Sequence, residues 1–354
     1  MQRLCVDFKS AEVYNRLMNL SHTEQEMLET EKVCLNFDFS ITADIAKKIG
    51  ESRIIFTGMG SSLIFPGKHA KNRALKFNIS NKVESYFASD LFQYEDFLDT
   101  YVFLCSNSGK TKEVILLLDY IKSKGAKCIA ITAVSDSILA QRSDEKIILT
   151  CGFEKGVAAT KSVVEQALVY DSLIHHLAKN QGKSVDFEIL KSELIKTAGN
   201  IINNINIKVS ENLLEILTKS NQYYIVGLDN GTAEEITLKS YEIARKMALF
   251  FPDTHIVHGV EEAIEGNCAI IFGTSIFKDY LSDFEKFSNK TNCQLIEVDN
   301  TDKLNGVKVE VNDTFSNYCL LTAGWGILRN IGNKLNLDMD HPEKASKVGN
   351  PFSE

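Results

Sequence analysis

Short apolar runs alternating with amphipathic stretches constrain this chain more than any other feature. RIIFTG (53–58), VESYFA (83–88), TYVFLCS (100–106), KCIAIT (127–132) and KIILTC (146–151) each read as a strand. Helix-period segments such as TKEVILLLDYIKSKG (111–125) lie between them, and 163–179 reads as a long helix closing the unit. A strand reaches a parallel neighbour only through a crossover, so this alternation implies a mainly parallel sheet with helices on both faces. A polar interval with its own helical period follows, from about 182 to 210. The alternation then resumes: YYIVGL (223–228), a helix over about 232–249, CAIIFG (268–273), a helix near 276–288, QLIEV (294–298), VKVEV (307–311) and a last helix near 315–336. The second half therefore repeats the architecture of the first, although the sequence repeat is faint. Residues 1 to about 50, with SAEVYNRLMNL and HTEQEMLETEKVCLNF, read as helices, and from Asp338 onward the tail is polar and aperiodic.

Composition narrows the function classes. The chain has 354 residues, is 44% hydrophobic and 24% charged, and carries a formal charge of -8 without a block of Lys and Arg. That balance argues against a nucleic-acid surface. No apolar run is long enough to span a bilayer, so no membrane partner is expected, and MQRLCVDFKSAEVYNRL lacks the apolar core of a secretory signal. Eight cysteines are scattered without a CxxC pair, which fits a reducing, cytoplasmic setting.

The stretch CSNSGKTKEV (105–114) ends one predicted strand and begins a helix. In a doubly wound sheet, ligands sit at the carboxyl ends of the strands. A helix N-terminus there offers unpaired N–H groups and partial positive charge. Ser106, Asn107, Ser108 and Thr111 add side-chain donors, and Gly109 allows close backbone approach. The same residues also suit plain helix capping. Two familiar phosphate motifs are excluded. The first glycine of a Walker A loop would fall on Leu104, and the third glycine of a dinucleotide fingerprint starting at Gly58 would fall on Leu63. Two further turns with small or hydroxyl residues, Gly60-Ser61-Ser62 and Gly156 to Lys161, follow other strands of the same half. Three such turns could converge on one anion.

Acid–base candidates lie in GTAEEITLKSYEIARKMALFF. Glu235, Lys239, Glu242 and Lys246 fall on one stripe of a helix. Alternating charges at this spacing also describe a solvated salt-bridge stripe. His258-Gly259 follows sixteen residues after Glu242, and Lys347 alone would be an exposed tail lysine. Adjacent His175 and His176 diverge around a helix, and His22 and His69 have no ligand-like partners, so neither a metal nor a cofactor is expected.

A strand followed by Gly-x-Ser-Ser, then Ser-x-Ser-Gly-x-Thr, then Gly-Val-Ala-x-Thr-Lys resembles the sugar isomerase (SIS) domain family. More closely, the chain resembles proteins with two tandem SIS domains. These include the isomerase half of glucosamine-6-phosphate synthase, the tagatose-6-phosphate isomerase and aminosugar-phosphate deaminase group, and deglycases of phosphorylated sugar–amino acid adducts. The resemblance covers roughly 45–350. It implies that Ser62, Ser106, Asn107, Ser108 and Thr111 hold the sugar phosphate, with Val157 and Ala159 at backbone-contact positions, Ala159 replacing a serine of some relatives. It further maps a reaction site onto Glu235, Lys239, Glu242 and His258, and a reactive tail lysine onto Lys347. In the family the histidine commonly comes from the other subunit, so a homodimer is implied. Relatives often read Gly-Glu-x-x-His-Gly-Pro, where this chain has DTHIVHGV and lacks that Glu and Pro.

The expected fold class is α/β, with two doubly wound SIS domains, each a mainly parallel sheet flanked by helices. The expected divisions are an N-terminal helical segment (1–45), a phosphate-binding domain (46–185), a domain with the catalytic helix and histidine (205–337), and a tail closing the site (338–354). FGTSIFKD, the second half's counterpart of the serine turn, lacks Ser-x-Ser-Gly, so one phosphate site per chain is expected. Cys5 is not at the second position, so no glutamine-hydrolysing domain is expected. The expected function is isomerisation or deamination of a hexose 6-phosphate through an enediol(ate). Glu242 is the base, His258 opens the ring, Lys239 supplies positive charge, and Lys347 does likewise or forms a Schiff base. The alternatives are a deglycase of a 6-phosphorylated sugar–amino acid adduct and a non-catalytic sugar-phosphate sensor.

Overall fold

The computed structural model describes residues 20–273, 275–300 and 306–353. Five strands, β1 (Arg53–Gly58), β2 (Val83–Phe87), β3 (Thr100–Cys105), β4 (Lys127–Thr132) and β5 (Glu145–Ile148), form a parallel sheet in the order β2-β1-β3-β4-β5. A second parallel sheet, of β6 (Gln222–Gly227), β7 (Met247–Pro252), β8 (Cys268–Phe272), β9 (Gln294–Asp299) and β10 (Gly306–Lys308), runs β10-β9-β8-β6-β7. Counted from its own first strand, the second sheet has the order of the first. The repeat lives in topology. In this order the winding reverses between the first and third strands, which opens a crevice at their carboxyl ends.

Eleven helices are described: α1 (His22–Asn36), α2 (Ala43–Ile49), α3 (Ile64–Phe77), α4 (Lys112–Ser123), α5 (Ile138–Arg142), α6 (Lys161–Asn180), α7 (Phe187–Ile205), α8 (Glu211–Lys219), α9 (Thr232–Lys239), α10 (Leu281–Thr291) and α11 (Ser316–Lys334). The strand period of two sorts the core. Ile54 and Phe56 of β1 face an inner core with α6, while Ile55 packs outward against α4. Likewise Tyr223 and Ile225 of β6 join the inner core, and Tyr224 and Val226 pack outward with Phe284 and Phe287 of α10. The inner faces of both sheets thus share one continuous core. The polar interval after α6 is α7, capped by Asp186 and packed against α1 and α11.

The expected helix over 232–249 is two elements. α9 stops at Lys239, and β7 occupies Met247–Pro252 as an edge strand with Met247 and Leu249 exposed. MALFFP is an apolar run, but it follows a helical pattern without the Gly or Pro that would mark the break. The stretch SAEVYNRLMNL lies outside the described residues but for its last one, as does Cys5; HTEQEMLETEKVCLNF is α1.

Several contacts join the halves, among them the following two. Gly231, at φ +85°, begins α9 where an added Cβ would lie 2.2 Å from the Ile64 carbonyl oxygen at the start of α3. Only glycine permits that approach. Asp171 of α6 is fully buried; His69 Nε2 lies 3.1 Å from its carboxylate, which accepts from Arg73 Nε at 3.2 Å and from the Tyr318 hydroxyl of α11 at 2.8 Å. His69 thus belongs to a hydrogen-bonded ion cluster. Burial alone would raise the Asp171 pKa, but the Arg73 guanidinium and His69 outweigh it and hold the carboxyl far below its usual range. Asp171→Leu leaves the Arg73 guanidinium uncompensated and is expected to lower stability by about 3–5 kcal/mol in urea unfolding. An unchanged midpoint would remove this cluster from the account of how the halves are held.

Candidate active site

β1 runs into a tight turn over Gly60–Ser62, and β3 runs into Ser106–Thr111. Both turns therefore sit at the crevice of the first sheet. They line one cavity of about 370 Å3, together with Val157, Ala159, Glu242 and Lys347.

The serine turn does more than cap a helix. Thr111 occupies the N-cap position of α4 without a capping bond. Its hydroxyl instead lies 2.8 Å from Ser106 Oγ, which is 3.5 Å from Ser108 Oγ. Ser108 Oγ accepts from the Lys110 amide at 3.2 Å. The three hydroxyls are thus gathered into one cluster. Gly109 makes this possible: its φ is +62°, and an added Cβ would fall 2.1 Å from Ser137 Oγ. The Asn107 side-chain amide is buried and has no hydrogen-bond partner among the described residues. Buried polar atoms are nearly always paired, so an orphan amide in a cavity wall marks a place for a ligand.

The opposite wall comes from the second half. Lys239, fully buried, donates to Ser61 Oγ at 2.7 Å and to Glu242 Oε2 at 2.6 Å, and lies 3.1 Å from Glu235 Oε1. The stripe that could have been a solvated ladder is therefore an interior ion cluster. Burial alone would lower the Lys239 pKa, but the Glu235 and Glu242 carboxylates outweigh it and hold the ammonium charged. Burial pushes the Glu235 carboxyl up. After Lys239 the helix widens into one π turn, Ser240–Ala244, ended by Arg245 at φ +49°. Such turns recur at functional sites because they re-aim a side chain. Here the turn leaves Glu242 partly exposed, its side chain at 23%, in the cavity wall. Lys246, the last member of the stripe, turns away and donates to the Thr218 and Ser220 carbonyls at 2.7 and 2.8 Å.

The tail is tied down at two points. Asp340 accepts from the His22 and Thr23 amides at 2.6 and 2.9 Å, at the start of α1. Further on, Lys112 N donates to the Asn350 carbonyl at 3.0 Å, and Phe352 N donates to the Lys110 carbonyl at 2.8 Å. Between these anchors, Ala345 to Gly349 cross the cavity as a strap. Lys347 is consequently not an exposed tail lysine, because its side chain is only 18% exposed. Its Nζ lies 3.7 Å from Glu154 Oε2 and makes no hydrogen bond among the described residues. Burial lowers its pKa, against the opposing pull of Glu154 and Glu26. The loop bearing Val157 and Ala159 is fixed from below, where Glu26 of α1 accepts from the Lys155 and Gly156 amides at 2.6 and 3.0 Å.

The cavity thus gathers Ser62, Ser106, Asn107, Ser108, Thr111, Val157, Ala159, Glu242 and Lys347, with Lys239 and Glu235 behind it. His258 stands apart. It is exposed beyond β7, its Nε2 3.5 Å from Thr254 Oγ1. Sequence reasoning missed Ser61 as the partner of Lys239, and Glu113, which accepts from Asn350 Nδ2 at 2.8 Å. Ser61 stood within the turn already singled out. Nothing in the polar tail signalled Asn350. His175 and His176 contact backbone carbonyls, those of Asp171 and Phe39.

Residues 49–176 match the SIS domain family. The chain is 32% identical over 230 residues to the isomerizing glutamine–fructose-6-phosphate aminotransferase of Pyrococcus horikoshii, covering 62% of this chain and 37% of that protein. Among solved structures, it resembles the C-terminal domain of glucosamine-fructose-6-phosphate aminotransferase from Francisella tularensis, with TM-score 0.77 and 21% identity over 91% of this chain and 98% of that one. It also resembles glucosamine-6-phosphate deaminase from Thermotoga maritima, with TM-score 0.69 and 19% identity over 93% and 99% of the two chains. The chain spans about two fifths of the length of the first curated relatives it matches. The family match is to that one segment, and the second sheet repeats the strand order of the first.

Lys239→Met is expected to cost about 3–5 kcal/mol in urea unfolding, because it leaves Glu235 buried without its counter-charge. Adding Glu235→Leu should restore most of that loss. Undiminished stability in the single variant would contradict the buried pairing.

Proposed function

We propose that this chain isomerises or deaminates a hexose 6-phosphate through an enediol(ate). The observation that carries this reading is that the hydroxyl cluster and the Glu242 carboxylate face the same cavity. A phosphate monoester fits a cradle of hydroxyls and a helix N-terminus. With the phosphate held by Ser62, Ser106, Asn107, Ser108 and Thr111, the far end of the sugar extends toward Glu242. Glu242 takes a proton from the carbon alpha to the carbonyl and returns it to the neighbouring carbon. For a 2-amino sugar the same shift yields a ketimine, which takes up water and releases ammonia. The relatives' names, an isomerizing aminotransferase and an aminosugar-phosphate deaminase, support this class.

The charges divide the work. Lys239 has its three contacts inside the protein. Its role is to fix one oxygen of Glu242 in place. Lys347, whose ammonium makes no hydrogen bond among the described residues, meets the developing enediolate. His258 opens the ring from a second copy of the chain, in a homodimer. The exposed apolar edge of β7, next to Tyr241 and Glu242, is the surface that such a copy would cover.

Glu242→Gln keeps the shape of the side chain and removes the base. It is expected to lower proton exchange at C1 and C2 of a bound hexose 6-phosphate by about 10²–10⁴-fold, while binding measured by calorimetry stays within threefold. Exchange at the wild-type rate would show that another group is the base.

A further inference from the structure

One carboxylate touches both the loop that walls the cavity and the tail that crosses it. Glu154, in the loop after β5, is fully buried. Its Oε1 accepts from the Thr160 amide at 2.8 Å, from the Thr160 hydroxyl at 3.1 Å and from the Ser162 amide at 3.4 Å. Its Oε2 accepts from the Ser162 hydroxyl. These bonds fold 154–162 back on itself at the start of α6, where Thr160 holds the N-cap position without a capping bond of its own. Capping that helix accounts for all of them. It does not account for Lys347, whose Nζ lies 3.7 Å from Oε2 on a strap anchored elsewhere, at Asp340 and at Asn350–Phe352.

Two observations set this contact apart from an ordinary ion pair. At 3.7 Å it is too long for an N–H···O bond, so the attraction acts between charges and takes up no lysine proton. The ammonium, with three donors, is buried and makes no hydrogen bond among the described residues. Buried donors are nearly always paired, so the partner of this one belongs in the cavity that Lys347 lines. A carboxylate already occupied by its own loop attracts the ammonium without consuming its donors. Glu26, behind the same loop, is occupied in the same way by the Lys155 and Gly156 amides.

We propose that Glu154 is the positioning residue for Lys347: it draws the ammonium into the cavity wall, and the strap Ala345–Gly349 with it, and leaves the lysine donors for the enediolate oxygen. The inference rests on the role given above to Lys347. Glu154 touches no substrate and acts through the lysine alone. The titratable groups facing Lys347 are Glu154, Glu26 of α1, Lys239 of α9 and Glu242 of the π turn. Burial lowers the Lys347 pKa and Lys239 adds to that, whereas Glu154, Glu26 and Glu242 oppose it. The ammonium is present at low pH and lost as pH rises through its folded pKa. Removing the Glu154 charge therefore moves that loss to lower pH.

The test is kinetics on the full chain with fructose 6-phosphate and glucosamine 6-phosphate. Glu154→Gln is expected to lower kcat by about 10–100-fold with KM within about threefold. It should also move the alkaline limb of kcat down by about one pH unit or more. Glu154→Asp keeps the charge and should leave that limb near its wild-type position. In a Lys347→Met background, Glu154→Gln should cost less than about twofold, because the group it acts through is gone. A Glu154 that only caps α6 would cost as much in either background and leave the limb in place, and either result overturns the inference. Should Glu154→Gln not fold, Glu154→Asp goes through the same cycle: it should lower kcat with Lys347 present and leave it unchanged in the Lys347→Met background, and an equal loss in both overturns the inference. A wild type that turns over neither sugar overturns the isomerase and deaminase reading itself, and the role of Glu154 falls with it.

Discussion

One buried ammonium holds the candidate site together. Lys239 comes from the second half of the chain, yet one of its contacts is Ser61, in the first turn of the first half. Its other two contacts are Glu235 and Glu242, a turn of helix away on either side. A single charge thereby joins the wall that would grip an anion to the carboxylate that would move a proton. A buried cation tolerates this only when well paired, and the two carboxylates provide that. The close approach at Gly231 sets the distance that makes the contact possible.

Tandem repetition gives the protein two crevices of the same topology, but they are equipped differently. At the first, hydroxyls gather around the turn after β3. At the second, the protein supplies its own anion: Ser275 N donates to the Asp299 carboxylate at 2.6 Å, at the turn after β8. A protein carboxylate at that point disfavours a phosphate by like charge. The second half instead contributes α9 and the π turn, so in the proposed reaction the two halves divide binding and proton transfer between them.

Much of this was legible in the sequence. The central strands β1, β3 and β4 were visible as apolar runs because parallel strands buried on both faces must be apolar nearly throughout, while the edge strands β2 and β5 are only partly buried. The hydroxyl turns were visible as residue types but not as a binding site, because the same residues suit helix capping. The ion cluster was visible as a spacing, but its burial was not, since an i,i+4 ladder looks the same inside and outside a protein. β7 was hidden inside a helical period, as a π turn and a left-handed Arg245 leave no sequence mark. The strap was invisible for a different reason: Asp340 and Asn350 to Phe352 are fixed by partners more than 200 residues away, and no local pattern encodes such contacts.

The most direct measurement is a crystal structure of the protein with a hexose 6-phosphate soaked in. The account predicts phosphate oxygens at hydrogen-bond distance, about 2.6–3.0 Å, from the hydroxyls of Ser62, Ser106, Ser108 and Thr111. It also predicts C1 or C2 at about 3–3.5 Å from a Glu242 oxygen, the separation at which a reaction can start. A phosphate bound away from those hydroxyls, or a sugar whose C1 and C2 face away from Glu242, would contradict it.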